Sequence, residues 1–207
     1  MTHTLHRQGS KESLDRDFIF LCMAAKGFNE DGADEKMREF LRIMMRHNPV
    51  NAGDMQSGNM FNSNMDDILA NVSNTSIVHG VFTDSDTATK VLQDLKEADL
   101  GMSVVVSGPF DSVGCICEKA GLKPHSLDFS AGVWGNTKRL PPKEVQEVTT
   151  MCGHGMVASN LVTSMVEEIK AGRKTPEEAA KVLAPQCACG IFNPKRAAEL
   201  LAAMAKK

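Results

Sequence analysis

Ser76–Gly108 reads SIVHGVFTDSDTATKVLQDLKEADLGMSVVVSG, and the pairing of its two apolar runs decides the fold. SIVHGVF and MSVVVSG are short, rich in β-branched residues and bounded by turn residues, as strands are. Asp86–Ala98 between them has the length and composition of a helix, and a second helix is expected over Phe110–Ala120. Strands alternating with helices predict crossover connections, and therefore parallel strands. In the next segment, HSLDFSAGVWG, Leu127, Phe129, Ala131 and Val133 alternate with Ser126, Asp128, Ser130 and Gly132. This is the pattern of an edge strand with one wet face. The expectation is an α/β protein whose core, residues 76–137, is a small, mostly parallel, three-stranded sheet.

The flanking regions read as helical. Leu14, Phe18, Leu21, Cys22 and Ala25 recur at helical spacing between a candidate N-cap, Ser10, and a stop, Gly27. Met37, Phe40, Leu41 and Met44 mark a second helix over about residues 33–46, so residues 1–46 are expected to form a helical hairpin. Residues 47–75 lack periodicity and are rich in Asn, Gly, Ser and Met, the composition of a linker or lid loop. Residues 138–207 form a helical, cysteine-bearing region that packs with the core. Val157, Leu161, Met165 and Ile169 share one face of a helix ending at Gly172. Thr175, Pro176 and Glu178 start another, Asn193 and Pro194 start the last, and QCACG lies between them.

Of 207 residues, 42% are apolar, enough for an ordinary core. The net charge of -3, with both signs dispersed, gives no basic footprint for nucleic acid and no polybasic membrane anchor. The helices of residues 175–207 could pass for a helix-turn-helix, but Glu177 and Glu178 oppose phosphate binding there. The longest apolar run, Phe18–Ala25, is too short for a bilayer, and MTHTLHRQGS contains no apolar signal core, so a cytoplasmic protein is expected. Six cysteines in such a setting are thiols, ligands or catalytic groups rather than a disulfide framework.

The cysteines separate by context. Cys22, Cys115 and Cys117 fall within helical patterns and read as packing. Cys187 and Cys189, between Pro185 and Gly190, form a loop C-x-C able to turn both sulfurs toward one ion, and Cys152 lies at a break between helices. Helix starts after Gly155 and at Asn193 would favour negative sulfur at both places. A helix over Met156–Ala171 climbs about 24 Å, and a return helix of nine residues with a few extended ones recovers about 20 Å. Antiparallel packing would therefore bring Cys187 and Cys189 level with Cys152 and His154. Three thiolates and a histidine suit an iron–sulfur cluster with an open iron, slightly preferred, or a Cys3His zinc site. Such a centre would serve redox or Lewis-acid chemistry, with a small-molecule substrate or a redox partner protein. Ser107 and Gly108, in the turn after the second core strand, are candidates for lining a cofactor or substrate pocket.

Met151–Gly155, MCGHG, resembles the motif around the catalytic cysteine of proline-racemase-type epimerases. The resemblance implies that Cys152 acts as acid/base or nucleophile with help from His154, without metal. Those enzymes contain two similar halves, each with such a cysteine, whereas this chain carries one such motif and no duplication. A structural or partner-binding module, or a homo-oligomer, fits the same composition. His3, His6, His47 and His79 read as solvated or structural.

Overall fold

The run Phe18–Met23, FIFLCM, expected to be helical, is an interior strand of the sheet. In the computed structural model, which describes residues 3–207, it forms β1 (Phe18–Met23) with five of its six residues buried. An unbroken apolar run satisfies periods of 2 and 3.6 equally, so its helical spacing carried no information. Aromatic and β-branched side chains covered on both faces are stable in a strand. The helix before it, α1 (Lys11–Leu14), lasts a single turn, with the Ser10 side chain accepting from the Ser13 amide. The expected N-terminal helical hairpin is thus corrected to a strand followed by one long helix, α2 (Ala33–Arg46), which buries Met37, Phe40, Leu41, Ile43 and Met44.

The remaining strands are β2 (Asn51–Asp54), β3 (Gly58–Asn59), β4 (Ile77–Phe82) and β5 (Val104–Ser107). Their order is β3-β2-β4-β1-β5, with every neighbouring pair antiparallel. This overturns the mostly parallel three-stranded sheet. The connection from β4 through α4 (Ser85–Ala98) to β5 does exist, and the two strands run the same way, but β1 lies between them. Leu21 faces His79 on one side and Val105 on the other. A crossover sets the relative direction of two strands and leaves their adjacency open. The connection β1-α2-β2 repeats the arrangement with β4 inserted, so the connectivity is a doubled split β-α-β unit.

Two further segments depart from expectation. Residues 47–75, read as linker or lid, supply β2, β3 and helix α3 (Met65–Asn71). Residues 126–134, read as an edge strand, form no strand; Leu127, Phe129, Val133 and Trp134 are exposed on a long connection between α5 (Phe110–Lys119) and α6 (Lys143–Thr149). Alternation makes a strand only where a neighbour accepts its hydrogen bonds, and this segment has none.

The sheet separates two cores. Phe18, Phe20, Cys22 and Val78 pack with α2, α4 and α5. On the opposite face Ile19 and Val81 meet a helical layer of α6, α7 (Ser159–Lys170), α8 (Pro176–Leu183) and α9 (Pro194–Ala205). α8 starts at the expected capping box of Thr175 and Glu178. His79, two residues from Val81 on β4, shares the face that looks toward this layer. No helix among the described residues is long and apolar enough to cross a membrane.

Candidate metal centre

Between the two layers the chain after α8 makes a tight loop, Cys187–Gly190, before entering α9. Polar side chains of the sheet hold it: Asn59 Nδ2 donates to the Cys187 carbonyl at 2.8 Å, and Asn51 Nδ2 to the Phe192 carbonyl at 2.9 Å. Gly190 adopts a φ of 81°, and a Cβ there would stand 2.8 Å from the Ala52 carbonyl carbon, so the loop lies directly on β2. The Cys187 and Cys189 sulfurs are 3.9 Å apart. The turn between α6 and α7 brings Cys152 beside Cys187, close enough to bias its proton although the pair lacks hydrogen-bond geometry. His154 Nδ1 lies 3.8 Å from Cys189 Sγ. The structure therefore gathers Cys152, His154, Cys187 and Cys189 at one place. The three sulfurs are buried and His154 is exposed at the rim.

Two more imidazoles complete the cluster. The ligand atoms of His3, His79 and Cys189 all lie within 4.8 Å of one another. The His3 ring stacks on His154 at 4.8 Å and meets the His79 ring edge-on at 5.4 Å. His3 arrives on an N-terminal strap anchored by Thr4 Oγ1 to Ser107 Oγ at 2.7 Å, by the Gln8 amide donating to Thr150 Oγ1 at 3.1 Å, and by Arg7 donating to the Ile191 carbonyl. The strap is seated so closely that a Cβ on Gly153 would fall 1.5 Å from the His3 carbonyl oxygen. Sequence offered one signal for His79, a polar side chain inside an otherwise apolar strand. It offered none for His3, whose place depends on long-range contacts.

The electrostatics set the roles apart. His79 is fully buried, and among the described residues both its ring nitrogens lack a hydrogen-bond partner, as does His3 Nε2. Burial drives His79 from 6.5 down to about 3, reinforced by His3 and His154; the Cys189 backbone pulls the other way without reaching hydrogen-bond geometry. Burial, with His154 and Arg7 nearby, brings His3 to about 4. Both rings are neutral at ordinary pH, as metal ligation requires. Among the thiols, Cys187 lowers Cys189 despite burial. Cys152 is raised by Cys187 and by burial. Cys187 is pushed up to about 12, because Cys189 and burial outweigh the downward pull of Cys152. Of the three sulfurs, Cys189 is thus the most readily ionised in the metal-free protein.

Behind the sulfurs lies a buried ionic group. Asp17 Oδ2 receives Arg196 Nη1 at 2.9 Å and stands 3.1 Å from Arg7 Nη1, off the line of a hydrogen bond. Asp17 Oδ1 accepts from Asn193 Nδ2 at 3.0 Å. Arg196 also donates to Ser13 Oγ at 2.9 Å and to the Gln8 carbonyl at 2.6 Å, tying the strap to α9.

The other candidate residues serve internal contacts. Ser107 anchors the strap, and Gly108 packs against Phe18 and Val113. The pocket expected beyond them presumed the carboxyl end of a parallel strand, and β5 is antiparallel to its neighbour. Cys22 lies buried in the opposite core, and its thiol is pushed up to about 12 by burial; Cys117 shares that core.

Two sulfurs on one tetrahedral ion, with metal–sulfur bonds near 2.3 Å, stand about 3.8 Å apart, and a sulfur and an imidazole nitrogen about 3.6 Å. The observed 3.9 Å and 3.8 Å are close to both values. Thiolate and imidazole donors together suit zinc, copper or iron. No family model, curated protein or solved structure matches the chain.

Proposed function

We propose that this is a metal-binding protein in which one transition-metal ion is held by Cys187 and Cys189 with imidazole support from His79. Cys152, His3 and His154 supply the remaining positions. The observation that carries the proposal is His79, a fully buried imidazole with two unpartnered nitrogens beside a sulfur and a second unpartnered imidazole. An unsatisfied buried polar group is destabilising unless something absent from the protein itself completes it. An ion would take one of the two nitrogens, with Cys189 Sγ within 4.8 Å of it. The 3.9 Å spacing of the Cys187 and Cys189 sulfurs favours one ion over a four-iron cluster, which binds each thiolate to a different iron and spreads them further apart. His154, exposed at the rim, is the ligand a small substrate would displace to reach the ion, which would then act as a Lewis acid.

A metal-free cysteine enzyme is the second reading, favoured by the pairing of Cys189 with His154 at 3.8 Å and by the lowered pKa of Cys189. Its nucleophile or base would be Cys189 in place of Cys152. Elemental analysis of the purified protein separates the two. The metal reading expects one zinc, copper or iron per chain, lost in His79→Leu. A metal-free protein, still metal-free after reconstitution, with Cys189 alkylated selectively by iodoacetamide, establishes the second reading. Several irons with matching sulfide would restore the cluster.

A further inference from the structure

Arg7, Arg196 and Asp17 determine the charge the centre must carry, an inference that rests on the metal reading and sharpens it. Their side chains are 6%, 1% and 0% exposed, so water does little to screen them. The two guanidiniums share the single carboxylate of Asp17. Arg196 repels Arg7, Cys187 and Cys189 attract it as thiolates, and His3 and His79 would repel it only if protonated. Among the described residues, two positive charges and one negative leave one positive charge without a carboxylate in ion-pair contact; half-buried Glu147 lines the same opening as Arg7 but pairs with neither guanidinium. Arg7 Nε, buried and without a hydrogen-bond partner among the described residues, belongs to that uncompensated group. A guanidinium does not shed its proton, and an unpaired buried ion costs several kcal/mol even after relaxation. Besides Asp17, the groups that attract Arg7 are Cys187 and Cys189 as thiolates, which points to the sulfur side as the source of the missing negative charge.

We propose that the metal centre is an anion of charge minus one, with Arg7 as its counter-ion, so that the thiolates bound exceed the charge of the ion by one. A divalent ion then takes Cys152, Cys187 and Cys189 with one neutral imidazole. A monovalent ion takes Cys187 and Cys189 alone among the thiols. The more compact set of His3, His79 and Cys189 around a divalent ion would carry plus one and leave two positive charges buried together. Charge therefore decides against it despite its geometry, and Cys152 is drawn in as third ligand when the ion is divalent.

X-ray absorption at the metal edge counts the sulfurs, on protein loaded with zinc(II) and, separately, copper(I). The expected counts are three sulfurs per zinc and two per copper. One or two sulfurs per zinc, or three per copper, overturns the charge rule while leaving the metal reading standing. Failure to bind any of zinc(II), copper(I) and iron(II) overturns the metal reading and the inference with it. Arg7→Met leaves Asp17 paired with Arg196 and Asn193, and circular dichroism checks that it folds. It is expected to weaken zinc binding by about tenfold or more in competition with a chelator, with fewer sulfurs bound, and Arg7→Lys is expected to recover most of both. An Arg7→Met protein with unchanged zinc affinity and sulfur count refutes the counter-ion role.

Discussion

Replacing His79 with leucine should stabilise the metal-free protein while destroying its metal site. The imidazole is fully buried, and neither Nδ1 nor Nε2 has a hydrogen-bond partner among the described residues. Each buried polar group left unsatisfied costs about 1–3 kcal/mol. Leucine is similar in size, and it faces Leu21 across the β1–β4 ladder and shares its strand face with Val81, so the change removes that penalty without opening a large cavity. The expected gain is about 1–3 kcal/mol, which in a chain of this length raises the melting temperature by about 2–10 °C. Urea or thermal denaturation of chelator-treated wild type and His79→Leu measures it, and metal content is read in parallel. A metal-free His79→Leu protein less stable than wild type by 1 kcal/mol or more would show that the Cys189 backbone already satisfies the ring, and the case for a missing ligand would fail. Added metal should reverse the order of stability, since only wild type gains binding free energy.

Four other outcomes follow. Gly153→Ala must lift the strap by about 1.5 Å or more to relieve the contact with the His3 carbonyl, an overpacking that costs about 1–3 kcal/mol; it should move His3 off the cluster, detectable as altered imidazole NMR signals. Asn59→Ala leaves the Cys187 carbonyl without its 2.8 Å donor, so an expected loss of about 1–3 kcal/mol in chemical denaturation should accompany faster thiol alkylation at Cys187 and Cys189. Asp17→Asn strands two guanidiniums without a carboxylate and should cost about 3–5 kcal/mol, far more than removing an exposed pair such as Lys11–Asp15. Acidification should destabilise the metal-free protein: His79 and His3 titrate near 3 and 4 when folded and near 6.5 when unfolded, so the unfolded chain binds more protons below 6.5. Their contribution is complete above about pH 6.5 and is lost as pH falls toward 4 and 3; in urea titrations at pH 7 and 5, His79→Leu should show the smaller loss.

Local chemistry was legible where it repeats along the chain or breaks it. The starts of α8 and α9 were visible in Thr175, Pro176, Glu178, Asn193 and Pro194, because a cap is a contact over three residues. The loop character of Cys187 and Cys189, between Pro185 and Gly190, followed from the same short range. So did the meeting of Cys152 and His154 with that loop, since helices of fixed rise joined by short turns have little choice but to return. What depends on which strands become neighbours was not legible. FIFLCM is equally good as a buried helix face or a central strand, and only its insertion between β4 and β5 makes the sheet antiparallel. Nor was it legible that 126–134 would stay an exposed connection, or that β2 would pair with the other side of β4 and carry β3 beyond it. His3, Arg7 and Asp17 lie far in sequence from Cys187 and Cys189, and no spacing rule links them. They reach the centre because the N-terminal strap is pinned to α9, to Ser107 and to the backbone at Gly153, contacts spanning more than a hundred residues. The cysteine half of the candidate centre is written in local sequence; its histidine half and its counter-ion are products of tertiary packing.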